Sequence, residues 1–136
     1  MRRSLLFGYQ VVVGLCDSAT GMLLMVAPHW TLRRMGLRMA ADAPPLLAII
    51  GALVFGVGLC CLHGAWLAYD DDRAARLDLV WLLTGILRAS VAVLVCIQIL
   101  SGALEPGWLT VALFDGACAL LQTVGLSRNW LAHATR

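Results

Sequence analysis

The stretch that decides the fold of this chain is residues 43–69, which read APPLLAIIGALVFGVGLCCLHGAWLAY. It contains no aspartate, glutamate, lysine or arginine. A helix needs about 20 apolar residues to cross a hydrocarbon core about 30 Å thick. We therefore predict a transmembrane helix at about residues 46–68.

The rest of the 136-residue chain has the same character, since 61% of all residues are hydrophobic and 13% are charged. That balance is far from the composition of a soluble domain. Three further apolar stretches, bounded by charged residues or proline, are predicted to span the membrane: 5–27, 77–100 and 108–126. The connecting segments are short, which favours neighbouring helices of opposite direction. The predicted fold class is all-α, a single integral membrane four-helix antiparallel bundle over residues 1–136.

The basic residues predict the orientation of this bundle. All ten are arginines. With both termini in the cytoplasm, six arginines flank the spans on that side, namely Arg2, Arg3, Arg73, Arg76, Arg128 and Arg136, and three lie on the other side, namely Arg33, Arg34 and Arg38. This excess favours cytoplasmic termini.

The first connecting segment mixes arginines with large apolar residues. This pattern is typical of a short helix that lies in the membrane interface with its arginines towards the lipid headgroups, here predicted at residues 29–41. An ordinary solvated loop is the alternative. The second connecting segment is acidic, and we interpret it as a solvated turn because neighbouring aspartates diverge and do not form a metal site.

Three ionisable residues lie deep within the predicted spans: Asp17, Arg88 and Asp115. At 1.5 Å per residue, each lies about 16 to 18 Å from the end of its span, close to the middle of the membrane. An unpaired charge at that depth costs about 2.5 to 3.5 kcal/mol or more. We therefore predict that Asp17 and Asp115 both pair with Arg88 inside the bundle.

The neighbouring residues on the same helix faces are also polar. Gln10 shares a face with Asp17, Thr84 with Arg88, and Gln122 with Asp115. Two carboxylates around one guanidinium leave a formal surplus of one negative charge. The group is therefore a structural ion network that fixes helix register, a proton or cation pathway, or a site for a polar ligand or partner residue.

Small residues recur at four-residue spacing in the second span, namely Ala48, Ala52, Gly56, Cys60 and Gly64. Small residues let helix backbones approach closely in lipid, so we predict that this ridge packs helices together. The internal seam of the bundle is the preferred location, and an exposed docking face is the alternative.

Several kinds of chemistry are disfavoured by the sequence. The five cysteines all lie in predicted spans and are expected to pack as small apolar residues. His29 and His63 fall on opposite sides of the membrane and cannot share a haem, so haem or quinone is expected only with a partner chain, with His63 as its candidate ligand. We find no catalytic, nucleotide-binding or metal-binding motif, and no basic surface suited to nucleic acid.

The run GMLLMVAP at residues 21–28, followed by Leu32 and the MGL sequence at residues 35–37, resembles the end of the first helix in DoxX-like small bacterial membrane proteins. The number of spans, four in a chain of 136 residues, is also similar to that of this group. The resemblance implies a location in the bacterial inner membrane. It further implies a role as an accessory or anchor component of an oxidoreductase system.

Two functions follow as alternatives. The first is a non-catalytic membrane subunit or accessory protein that contacts lipids and binds a larger membrane complex. The second is a small homo-oligomeric transporter, or proton- or cation-translocating protein, that uses Asp17, Arg88 and Asp115. No enzymatic activity is predicted for the chain on its own.

Overall fold

The computed structural model describes residues 3–38, 44–68 and 74–131, and it confirms the all-α prediction for them, since none lies in a strand. The elements are α1 (Arg3–Val26), α2 (Pro28–Arg34), α3 (Pro44–Leu67), α4 (Ala74–Leu100), a 3₁₀ turn (Pro106–Trp108) and α5 (Leu109–Ser127). Within these described ranges, four helical segments are long and apolar enough to cross a membrane: Arg3–Val26, Pro44–Leu67, Arg76–Leu100 and Pro106–Ser127. The four predicted spans differ from these segments by at most two residues at either end.

The short helix α2 lies where the sequence places an interfacial helix, but it ends at Arg34. The chain turns at Gly36, whose φ of 73° is left-handed, and the Leu37 amide donates a hydrogen bond to the Leu32 carbonyl at 2.8 Å. Residues 39–41 of the predicted helix lie outside the described residues. Within α2, Leu32 is buried, whereas the Arg34 guanidinium lies 5.2 Å from the centre of the exposed Trp30 ring.

The four long helices form two closely packed pairs, α1 with α3 and α4 with α5. Glycines bring the first pair together: a Cβ atom on Gly21 would lie 2.6 Å from the Gly51 carbonyl oxygen, and one on Gly58 would lie 2.8 Å from the Gly14 carbonyl oxygen. Such backbone contact favours helix association in lipid, where burial of apolar surface between helices gives little driving force.

Two apolar clusters close the ends of the bundle. The terminal cluster consists of Leu6, Leu67, Ala68, Leu77, Trp81 and Leu131. The loop cluster consists of Leu24, Leu32, Leu37 and Leu47. The buried polar and charged side chains of the long helices lie between these clusters, together with Val13, Cys61 and Cys118. The interior thus has polar and charged side chains in its middle and mainly apolar side chains towards both ends.

Candidate functional site

The structure brings Asp17, Arg88 and Asp115 into direct contact. Arg88 Nη1 donates to Asp115 Oδ1 at 2.6 Å, and Arg88 Nη2 donates to Asp17 Oδ2. The Arg88 side chain is 3% exposed, while the side chains of Asp17 and Asp115 are 9% and 16% exposed. One guanidinium therefore binds both carboxylates. We call these three residues the charge cluster.

The charge cluster connects the two helix pairs. Asp17 belongs to α1, while Arg88 and Asp115 belong to α4 and α5. Backbone contacts are abundant within each pair and sparse between the pairs. The Asp17–Arg88 ion pair therefore links the two helix pairs, whereas the Arg88–Asp115 ion pair lies within the α4–α5 pair.

The electrostatics of the cluster make it sensitive to the loss of any member. Removing one partner of a buried ion pair leaves an uncompensated charge and costs about 3 to 5 kcal/mol. The Phe114 ring lies 5.5 Å from Arg88 Cζ and adds a cation–π contact. The two carboxylates still outnumber the guanidinium, so the fully ionised cluster carries a formal charge of −1.

The structure brings two of the three predicted polar neighbours together. Gln122 Nε2 donates to Thr84 Oγ1 at 3.0 Å, and Thr84 Oγ1 donates to the Val80 carbonyl at 2.7 Å. Gln10 is fully buried, but it lies against α3, where a Cβ atom on Gly64 would be 2.3 Å from Gln10 Nε2. A side chain at position 64 would therefore force the Gln10 amide to move.

Replacement of Thr84 by valine, at nearly constant volume, is expected to leave the Gln122 side-chain amide without its hydrogen-bond acceptor. We expect Thr84→Val to lower the free energy of unfolding by about 0.5 to 2 kcal/mol, measured by denaturant titration in mixed micelles. Thr123→Val is the matched control, because Thr123 is exposed and bonds only the Ala119 carbonyl of its own helix. Equal effects of the two changes would contradict the assigned role of Thr84.

Several buried polar atoms have no hydrogen-bond partner among the described residues: both side-chain atoms of Gln10, Gln122 Oε1, Trp81 Nε1, Ser18 Oγ, Tyr9 Oη and Arg88 Nε. Tyr9 and Arg88 lie against the thiols of Cys118 and Cys61, which are weak hydrogen-bonding groups. The sequence did not indicate which buried polar atoms lack a partner, because hydrogen-bond partners depend on the rotation of each helix about its axis. Trp81 in particular is a buried polar residue that the sequence analysis did not single out.

The ridge predicted in the second span is not the surface that meets α1. Ala52 and Cys60 are exposed, Ala48 is partly exposed, and a Cβ atom on Gly56 would have nothing within 4 Å. Only Gly64, at the end of the ridge, is buried.

Gly51 and Gly58 meet α1 in its place, facing Gly21 and Gly14. A four-residue spacing advances about 40° around a helix at every step, so the ridge turns away from its partner, whereas a seven-residue spacing stays on one face. The glycine pairs 14/21 and 51/58 carried this signal in the sequence.

The remaining candidate residues do not assemble into a site. His63 is exposed, and the centre of its ring lies 5.4 Å from that of the Trp66 ring, with the two planes tilted by 40°. In the described ranges, no group of three or more histidine, cysteine, aspartate or glutamate side chains could hold a metal ion. Cys61 and Cys118 are buried beside the charge cluster, while Cys16, Cys60 and Cys96 are exposed.

A groove runs between α4 and α5 at the end of the bundle that holds the terminal cluster. One cavity of about 420 Å³ is lined by Asp78, Leu79, Leu82 and Leu126. A second, of about 120 Å³, shares Leu82 and Leu126 with the first and continues to Trp81 and Gly85. Neither is lined by the charge cluster.

Four long apolar helices around buried ion pairs are features of a multi-pass helical membrane protein. Comparison of the chain with protein-family models, curated proteins and solved structures gives no match. The function must therefore be argued from the charge cluster and its surroundings.

Proposed function

We propose that the chain is an antiparallel four-helix bundle in the bacterial inner membrane, with both termini in the cytoplasm. The glycine contacts support antiparallel packing of α1 and α3, because Gly14 meets Gly58 while Gly21 meets Gly51. The arginine distribution supports the orientation. Exposed Trp66 and Trp30 near opposite ends of the bundle fit the two membrane interfaces, where tryptophan is enriched.

We propose that the protein serves as a non-catalytic subunit or accessory anchor of a larger membrane complex. The observation that carries this proposal is that Arg88 uses both terminal nitrogens to bind the two carboxylates. The three charged residues of the cluster are thus engaged with one another, and the Asp17–Arg88 pair links the two helix pairs. This leaves the outer surface as the place of function.

That outer surface is apolar on all four long helices. Large exposed side chains include Leu15 on α1, Leu53 on α3, Leu94 on α4 and Leu113 on α5. Such faces fit acyl chains or the apolar helices of a partner. The DoxX-like resemblance supports an oxidoreductase system as that partner. Any haem or quinone would then belong to the shared complex, with His63 as the residue of this chain available to it.

The test is purification of the tagged protein from its native membrane in mild detergent, followed by mass spectrometry. We expect a larger membrane protein in a stoichiometric amount. The control is an unrelated tagged four-span protein expressed at the same level. Any protein that co-purifies with this control as well is a contaminant. Recovery of the chain alone, as one uniform oligomer, would contradict the accessory role.

A second candidate function is translocation of a proton or cation by a homo-oligomer. The specific observation that favours it is the formal charge of −1 on the cluster, which one proton or monovalent cation would neutralise. In that case a transport phenotype would be lost on neutralising Asp17 or Asp115 while membrane abundance stayed normal.

A further inference from the structure

The unpartnered polar atoms are concentrated in one half of the bundle. Three fully buried residues with such atoms lie on the terminal-cluster side of the charge cluster: Gln10, Trp81 and Gln122. They come from α1, α4 and α5, so both helix pairs contribute. This layer is distinct from the charge cluster, and we call these three residues the polar layer.

The free atoms of the polar layer have the chemistry that water requires. Trp81 Nε1 is a donor, Gln122 Oε1 is an acceptor, and Gln10 offers both an amide donor and an amide acceptor. A buried water molecule bonds about three such groups, whereas an apolar ligand would leave them unsatisfied.

The groove between α4 and α5 reaches this layer at Trp81, whereas Gln10 and Gln122 do not line it. Its cavity of about 120 Å³ is lined by Trp81 and Gly85, and Gly85 lies against Gln122, whose Oε1 would be 3.3 Å from a Cβ atom at position 85. One water molecule occupies about 30 Å³ in the liquid, so several fit. The adjoining cavity of about 420 Å³ reaches Asp78, which is exposed near the start of α4.

The other half of the bundle has no comparable layer among the described residues. Beyond the charge cluster, the next buried side chains are apolar: Leu24 of α1, Ala92 and Val95 of α4, and Ala112 of α5. Water held by the polar layer would therefore lie on one side of the cluster, with apolar residues on the other side.

We propose that the polar layer binds internal water, and that this water gives protons access to the Asp17–Arg88–Asp115 cluster only from the end of the bundle that holds the two termini. The proton comes from hydronium in the groove, binds one of the two carboxylates, and leaves water behind. Binding of one proton brings the formal charge of the cluster from −1 to zero. The inference goes beyond the accessory role and does not depend on a partner chain.

The groups that surround the two carboxylates are few. Arg88 approaches from α4, Cys118 lies on α5 beside Asp115, and Cys61 of α3 and Tyr9 of α1 lie against Arg88. Among the described residues of the interior, the carboxylates are thus the natural acceptors for the proton.

The first measurement is infrared spectroscopy of the full-length protein in lipid vesicles at neutral pH. We expect a protonated-carboxyl band that is lost in both Asp17→Asn and Asp115→Asn, because either change leaves one carboxylate balanced by Arg88. Asp78→Asn is the matched control and should keep the band. Absence of the band from the unmodified protein would overturn the inference, as would its survival in both variants.

The second measurement follows the shift of that band after transfer to D₂O. Gln10→Leu and Gln122→Leu remove the groups that hold the water and are expected to slow the shift about ten-fold. Gln10→Leu replaces an unsatisfied amide by an apolar side chain of similar size, and Gln122→Leu removes one unsatisfied oxygen at the cost of the hydrogen bond to Thr84. The fold should therefore persist, which size-exclusion chromatography checks. Gln98→Leu, in the other half of α4, should leave the rate unchanged. Equal rates in all three variants would overturn access through the polar layer.

The two proposals fail separately. A stoichiometric partner with no carboxyl band would leave the accessory role intact and remove the proton site. A solitary oligomer with the expected band and exchange rates would remove the accessory role and leave the proton site in place.

Discussion

Arg88→Leu is expected to reduce the amount of folded protein in the membrane more than any other single change at the charge cluster. The substitution leaves Asp17 and Asp115 buried without the guanidinium that binds both of them. The expected loss is about 3 to 5 kcal/mol, a large fraction of the 5 to 15 kcal/mol that stabilises a typical protein. Quantitative immunoblotting of membranes and denaturant titration of the purified variant measure the two consequences.

The controls separate the ion network from a general effect of losing an arginine. Arg76→Leu removes an exposed arginine near the start of the same helix and should leave abundance unchanged. Asp17→Asn combined with Asp115→Asn should partly restore the Arg88→Leu protein, because the stranded carboxylates are then neutral. Normal abundance of Arg88→Leu, or failure of the double change to restore it, would contradict a structural network.

The charge cluster could be predicted from the sequence because its geometry depends on depth alone. The rise of a helix is fixed at 1.5 Å per residue, so the distance of Asp17, Arg88 and Asp115 from the ends of their spans follows from counting. The cost of an isolated charge in lipid then requires that they meet. Neither step needs the rotation of a helix about its axis.

The contacts that could not be predicted all depend on that rotation. Four-residue spacing identifies a small-residue ridge but does not specify which helix it meets, and in α3 the ridge turns outward around Gly56. Gln10 and Thr84 are both buried, yet only Thr84 bonds Gln122. The length of α2 depended on a single residue, Gly36, whose left-handed backbone ends the helix earlier than the apolar pattern suggests.

The polar layer could not be predicted from the sequence either. Trp81 reads in the sequence as one apolar residue among many in α4, and its unsatisfied Nε1 is evident only once the terminal cluster is assembled around it. Buried polar groups without partners are uncommon because each carries a desolvation cost. Most of these groups lie on the terminal-cluster side of Arg88, and this distinguishes that half of the bundle from the other.

Gly21→Ala is expected to destabilise the α1–α3 pair, although it adds only one methyl group. The new Cβ atom would lie 2.4 Å from the Phe55 amide nitrogen and 2.6 Å from the Gly51 carbonyl oxygen, both of which are backbone atoms. Because backbone cannot rotate away as a flexible side chain can, the two helices must separate. The expected loss is about 1 to 3 kcal/mol or more, measured by denaturant titration in mixed micelles.

Gly56→Ala is the matched control for this change, since it adds the same methyl group to α3 where a Cβ atom would have nothing within 4 Å. Alanine is favoured over glycine within a helix, so this variant should equal the unmodified protein or exceed its stability by up to about 1 kcal/mol. The comparison sets the two glycine patterns of the sequence against each other. Greater destabilisation by Gly56→Ala than by Gly21→Ala would mean that the four-residue ridge is the packing seam after all, and that Gly14, Gly21, Gly51 and Gly58 do not form it.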